Sequence, residues 1–369
     1  MSYFRTDSRI VLALVAVLLV STALQTPAKA QTENLDPVVV MYDESHLQQF
    51  SANDEEDGIK LMLDLVNDSS RYIVRINEEQ PLNSTTLSGV DILILADPDN
   101  SEPFENEEIS GISDLLSNGS SLLALGDPKI AQNSTYWSET PFRDLGENNA
   151  LNELFSSINM TGVRFSVNET ESGVIRPDSL FDYEHALNET FPQVVELDAT
   201  TWDTQHPIFN DINRLVTMTA TLKPIDAPSA IATGYETSFA QYRKGPNTFG
   251  NITFPNMTLS EYEEKPLSYS AINGTFPPWL SAFQFNDSRV VVGGSTIMFS
   301  GRVLDLPESD DRSNEQWFYQ ADNSRLFMNI LNWLSEDFVS APGAMYPLLV
   351  ISSVILLIGV AFYVFKKVR

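Results

Sequence analysis

Asp91-Ile-Leu-Ile-Leu-Ala96 and Ser121-Leu-Leu-Ala-Leu125 decide how this chain folds. Each is a short apolar run bounded by polar residues, the form expected of a strand buried on both faces in a parallel sheet. Val38 to Tyr42 has the same form, and Tyr72 to Ile76 supplies a further strand. Between them lie stretches of helical character. Residues 54 to 66 set Ile59, Leu61, Leu63, Leu65 and Val66 among charges, with Asp54-Glu55-Glu56-Asp57 as favourable charge at the helix start. Glu105 to Ser117 is stopped by Asn118-Gly119, and residues 149 to 158 read as another helix. Strand alternating with helix predicts an α/β fold built on a doubly wound, mainly parallel sheet.

Working outward, the pattern weakens over residues 160 to 285, where Pro, Asn, Thr and Tyr are frequent. Val194 to Leu197, Leu215 to Leu222 and Ala230 to Thr233 read there as edge strands between long loops inserted in the same domain. Arg289 to Gly293 and Thr296 to Phe299 read as late strand material. Ser324 to Leu334 is an amphipathic helix with Leu326, Phe327, Ile330, Leu331 and Leu334 on its apolar side. No internal repeat is evident.

The chain ends carry targeting signals. Arg5 and Arg9, the apolar run Ile10 to Val20 and Ala28-Lys29-Ala30 have the order of a secretory signal peptide over residues 1–30, with a retained signal anchor as the other reading. Tyr346 to Phe365 is uncharged and long enough for a membrane-spanning helix, and Lys366, Lys367 and Arg369 follow it. The expected plan is a domain over residues 31–336, a linker over 337–345, one span over 346–365 and a cytoplasmic tail over 366–369. That makes a single-pass type I membrane protein, its ectodomain extracytoplasmic: at the cell surface, or lumenal in a eukaryote. The tail also has the form of a dilysine retrieval signal, although a plain stop-transfer cluster explains the same charges.

Of 369 residues, 22 are Lys or Arg and 50 are Asp or Glu, a formal net charge of −28, and there is no cysteine. A polyanion would be repelled, which argues against a nucleic-acid partner. Disulfides, thiolate metal sites and cysteine nucleophiles are excluded. Asn-x-Ser/Thr sequons fall at Asn67, Asn83, Asn118, Asn133, Asn159, Asn168, Asn188, Asn251, Asn256, Asn273 and Asn286, all within the ectodomain. Their density agrees with a glycosylated exterior face, and an acidic, glycan-coated surface suits an archaeal cell envelope.

Several segments together resemble a known family: the first strand running into Tyr42-Asp43-Glu44-Ser45-His46, the 91–96 strand, Asn118 to Gly126, His206-Pro207-Ile208, and Arg289-Val-Val-Val-Gly-Gly-Ser295 before Asn323 to Leu334. Over roughly residues 36 to 336 they look like the GATase1-like extracytoplasmic domain. That domain has a class I glutamine amidotransferase-like, flavodoxin-like fold. It occurs in the auxiliary component of gliding-motility-type ABC transporters, and a similar one forms the luminal part of a non-catalytic oligosaccharyltransferase subunit. The resemblance implies an accessory subunit of a membrane complex, with membrane-protein partners and no cofactor. This chain has one span and no added β-rich domain before it, which departs from both relatives.

Amidotransferases of this fold need a cysteine, so glutaminase activity is excluded. No Gly-x-Ser-x-Gly elbow and no His-Glu-x-x-His helix occurs. His46, His185 and His206 are the three histidines, none with an obvious serine partner. Ligands of parallel sheets bind beyond the carboxyl ends of strands. Asp43, Asp97 and Asp127 each follow such an end, with Ser45 and His46 next to the first. This set, with His206, forms the candidate ligand site. It offers oxygens to a cation, sugar hydroxyls or a positively charged peptide group. The plain alternative is that each Asp caps its turn and His206 packs on the core. Trp202, Trp279 and Trp317 are candidates for a sugar or partner platform, or for core. The sequence therefore points to a non-catalytic binding or assembly domain. A hydrolase using Asp43 and His46, with Asp127, and a surface-layer glycoprotein are the alternatives.

Overall fold

A computed structural model describes residues 37–128, 145–169, 175–188, 192–225, 229–245, 248–249, 252–253, 269–270, 276–304 and 315–336. The signal segment 1–30, the span 346–365 and Asn133, Asn251, Asn256 and Asn273 lie outside the described residues. Among the described residues no helix is long and apolar enough to cross a membrane.

The central sheet has seven strands: β1 (Val38–Asp43), β2 (Tyr72–Asn77), β3 (Ile92–Ala96), β4 (Ser121–Leu125), β5 (Ala230–Thr233), β6 (Pro278–Phe285) and β7 (Ser288–Gly293). Their spatial order is β5-β6-β7-β4-β3-β1-β2. β2, β1, β3, β4 and β7 run parallel; β6 is antiparallel to β7, and β5 is antiparallel to β6. The parallel part therefore has the strand order 2-1-3-4-5 of flavodoxin-like doubly wound sheets.

Side-chain alternation sends the two faces of this sheet into separate cores. Val38, Val40, Tyr42, Ile92, Ile94, Leu123 and Val291 point to one face, packed under helix α1 (Lys60–Asn67) and helix α4 (Asn323–Leu334). Met41, Leu93, Leu95, Leu122, Ala124, Val290 and Val292 point to the other, under α2 (Asn106–Ser117) and α3 (Asn149–Ser157). Each fully buried leucine or valine contributes about 1.5–3 kcal/mol to this arrangement, which is why the apolar runs, rather than turn chemistry, set the fold.

The last turn of α4 docks against the amino ends of the parallel strands. Ser121 Oγ, at the start of β4, donates to Leu334 O at 2.9 Å, and Arg71, just before β2, donates to Ser335 Oγ at 2.6 Å. The described chain thus leaves at the amino edge of the sheet, opposite the edge that carries Asp43, Asp97 and Asp127.

Three expectations are corrected. The helix expected over 54–66 begins only at Lys60, because Asp54 Oδ1 accepts the amides of Glu56 and Asp57 and folds the acidic run into a turn. Thr296–Phe299 is not strand: Ile297–Phe299 is a 3₁₀ turn. Leu215–Leu222 is two strands, Arg214–Thr217 and Leu222–Pro224; between them Leu180 N donates to Thr219 O and Ala220 N to Gly294 O, which breaks the run. Of the two readings of Trp202, Trp279 and Trp317, core is the one the structure shows, since all three are buried. Residues 160–285 also contribute three sheets outside the central one, one of six strands and two of two strands, beyond the edge strands expected.

Candidate functional site

The carboxyl end of β1 holds a dense polar cluster. Asp43 is buried and accepts from four side chains: Ser45 Oγ (2.7 Å) and Asn77 Nδ2 (2.8 Å) at Oδ1, His46 Nδ1 (2.7 Å) and Gln48 Nε2 (2.9 Å) at Oδ2. The other ring nitrogen of His46 meets Glu108 Oε2 at 3.3 Å. Glu108 sits in the first turn of α2, where a capping box sets it: Oε2 accepts Glu105 N at 2.8 Å, while Oε1 accepts Leu82 N at 3.1 Å. Phe104 covers the imidazole, ring centroids 4.3 Å apart.

With a carboxylate facing each nitrogen, the geometry favours the doubly protonated ring of His46, donating on both sides. Burial works against that charge. The hydrogen bond to Asp43 and the charges of Asp43 and Glu108 outweigh it, so the His46 pKa is raised. Ser45 Oγ lies 3.1 Å from Nδ1, the nitrogen that Asp43 already occupies. A nucleophile and base need the hydroxyl on the nitrogen opposite the orienting carboxylate. Here hydroxyl and carboxylate share one side.

Asp97 follows β3 at φ +45°, and Leu47 follows His46 at φ +50°. Left-handed backbone at such residues costs about 1–2 kcal/mol, and strain of this kind gathers where structure serves function. The two turns meet where Asp99 N donates to His46 O at 3.0 Å. Leu47 is 55% exposed. Asp97 Oδ2 accepts Gly146 N at 3.4 Å. Asp127, after β4, is buried; Oδ1 accepts Thr296 N and Ile297 N, both at 3.0 Å. Burial first, then the charge of Asp97, pushes the Asp127 carboxyl well above its ordinary pKa.

The structure thus brings Asp43, Ser45 and His46 together and sets Asp97 and Asp127 on neighbouring strand ends of the same edge. His206 stands apart. It caps the 3₁₀ turn Pro207–Phe209, its Nδ1 accepting Ile208 N at 3.4 Å, and packs 5.3 Å from the Trp333 ring in α4. Burial lowers its pKa. His185 is held by Asp182 at 3.1 Å and stacks on Tyr235. Asn77, Gln48 and Glu108 were missed from sequence, although Glu105-x-x-Glu108 has the form of a helix-start box. Among the described residues no group of three or more His, Asp or Glu is placed to hold a metal. A cleft of about 290 Å³ lined by Ser84, Asp91, Asp114, Asn118 and Ser120 lies at the opposite, amino edge. Of the described sequons, Asn67, Asn118, Asn159 and Asn286 are exposed. Asn83 donates to Glu107 at 2.9 Å.

No protein-family profile and no curated protein sequence matches the chain. Among solved structures it is similar to the mmIFT52 N-terminal domain, at 15% identity and a TM-score of 0.49, covering 82% of this chain and 100% of that one. A ThuA-like protein from Parabacteroides merdae gives 10% identity and 0.41, covering 83% and 93%. A cytoplasmic protein, STM3548, from Salmonella typhimurium gives 11% and 0.37, covering 80% and 98%. At these identities none of them speaks to a shared activity.

Proposed function

We propose that this chain is a non-catalytic, membrane-anchored extracytoplasmic domain of the class I glutamine amidotransferase-like kind. It serves as an accessory subunit of a membrane complex such as an ABC-type transporter or an oligosaccharyltransferase-like assembly. The observation that carries the reading is His46: both its nitrogens face buried carboxylates, at 2.7 and 3.3 Å, and Ser45 lies on the nitrogen that Asp43 holds, so the serine–histidine–carboxylate order of a nucleophile and its base is missing there. Leu47, strained and exposed on the same edge, offers an apolar side chain to a partner. In this reading the span 346–365 anchors the chain, with the domain outside.

The test is purification of tagged full-length chain from its own membranes in mild detergent, followed by protein mass spectrometry. Co-purification of other membrane subunits in fixed ratio is expected, and Leu47→Glu should reduce their recovery while leaving the melting temperature unchanged. A chain that purifies alone and shows a hydrolytic activity lost in His46→Ala would replace this reading with the hydrolase.

A further inference from the structure

The three strand-end acids are not equivalent. Asp43 has four side-chain donors against it, among them the His46 ring at 2.7 Å, whose pKa is raised. The hydrogen-bond partners of Asp127 are neutral. Its backbone is clamped by Asn148, whose Oδ1 accepts Asp127 N at 3.1 Å and whose Nδ2 donates to Asp127 O at 3.0 Å. Its Oδ1 is saturated by the amides of Thr296 and Ile297. Its Oδ2 is equally buried and has no hydrogen-bond partner among the described residues. Asp97 stands on the adjacent strand, where Ala96 pairs with Leu125 and Asp97 N donates to Leu125 O at 2.7 Å.

Neither protonation state of Asp127 is satisfied by the protein. Ionised, it is a fully buried anion beside a second carboxylate. Protonated, it holds an O–H on Oδ2 with no acceptor. One added species resolves both, a cation set between Asp127 Oδ2 and the Asp97 carboxylate. Two carboxylates, no thiolate and no imidazole make a hard, all-oxygen donor set. Calcium accepts such a set in irregular geometry and completes its shell with carbonyls and water, whereas magnesium demands a near-ideal octahedron.

We propose that Asp97 and Asp127 form a buried calcium site that ties the ends of β3 and β4 to the Thr296–Phe299 turn. The inference goes beyond the accessory-subunit reading and does not depend on it.

The test uses the full-length chain in mild detergent, stripped with EDTA and dialysed. Its melting temperature is followed at pH 7.5 and constant ionic strength while CaCl₂, or MgCl₂ as comparison, is added. A saturable rise of about 5 °C or more at a hundredfold excess over Kd is expected for calcium. Asp127→Asn and Asp97→Asn should each abolish the rise, while the exposed-surface variant Glu79→Gln keeps it. The asparagine at 127 retains the acceptor for both amides and should fold. Should it not, Asp97→Asn and radioactive-calcium equilibrium dialysis of the unaltered chain decide, with one tightly bound ion per chain expected. The proposal is overturned by the absence of a calcium response, by a response that survives both substitutions, or by Asp127→Asn raising the melting temperature of a chain that calcium does not affect. The last result would mean that a shared proton fills the place. Co-purification of partners reads the accessory role separately.

Discussion

Replacing Glu108 by Ala should destabilise the domain by an amount that shrinks as pH rises. The substitution strands the buried Leu82 amide and ends the exchange with Glu105; the first costs about 1–3 kcal/mol and the second about 1. It also removes one of two carboxylates from a buried imidazolium. Deleting one partner of a buried pair costs about 3–5 kcal/mol, and the lower end applies because Asp43 stays. The contributions share atoms and do not add fully, which gives about 4 kcal/mol at pH 6. The sign of the pH effect follows from the raised pKa of His46. Stability that the imidazolium confers is fully present below 6.5, its ordinary value, and is lost as pH climbs through the folded-state value. Near pH 9.5 the imidazolium contribution fades, leaving about 2 kcal/mol from the amides. Urea unfolding followed by fluorescence of the buried Trp279 and Trp317 measures both losses. A penalty equal at the two pH values, or larger at pH 9.5, would refute a charged His46 held between two carboxylates.

Asn323→Ala should cost about 2–4 kcal/mol in the same assay, because its Nδ2 donates to Val216 O, Met298 O and Trp317 O inside the core. Gly294→Ala should destabilise by about 2 kcal/mol or more, since the new Cβ would fall 2.0 Å from Ala220 O; an unchanged midpoint would show that this loop yields. Leu47→Gly should raise stability by about 1 kcal/mol through relief of the left-handed backbone. A loss instead would mean that the leucine packs within its own domain. Glycopeptide mass spectrometry of native protein should find sugar on exposed Asn118 and Asn286 and none on Asn83, whose amide is already bonded to Glu107; occupancy of Asn83 alone would overturn that assignment.

Of the parallel strands, β1, β3, β4 and β7 were legible as apolar runs buried on both faces, whereas β2, at the sheet edge with Ile73, Arg75 and Ile76 exposed, was legible only from its β-branched and aromatic residues. The helices were legible to within a few residues, except where side chains captured backbone, as Asp54 does before α1. Pro278–Phe285 escaped notice because, on the antiparallel side of the sheet, its later residues are half-exposed or exposed and mix polar with aromatic. In the candidate site, proximity along the chain revealed Asp43, Ser45 and His46. The partner that fixes the charge of His46 was hidden: Glu108 lies 62 positions away, in what reads as an ordinary acidic helix start. The exclusion of His206 from the cluster was equally invisible, since only the packing of α4 places it beside Trp333.

The docking of the α4 terminus on Ser121 and Arg71 has a consequence for reach. The described chain exits at the amino edge, and the His46 rim lies at the other end of β1, roughly 20 Å away at 3.3 Å per residue. A partner that grips the chain where it leaves the domain and one that engages the His46 rim would therefore hold opposite ends of the same strand.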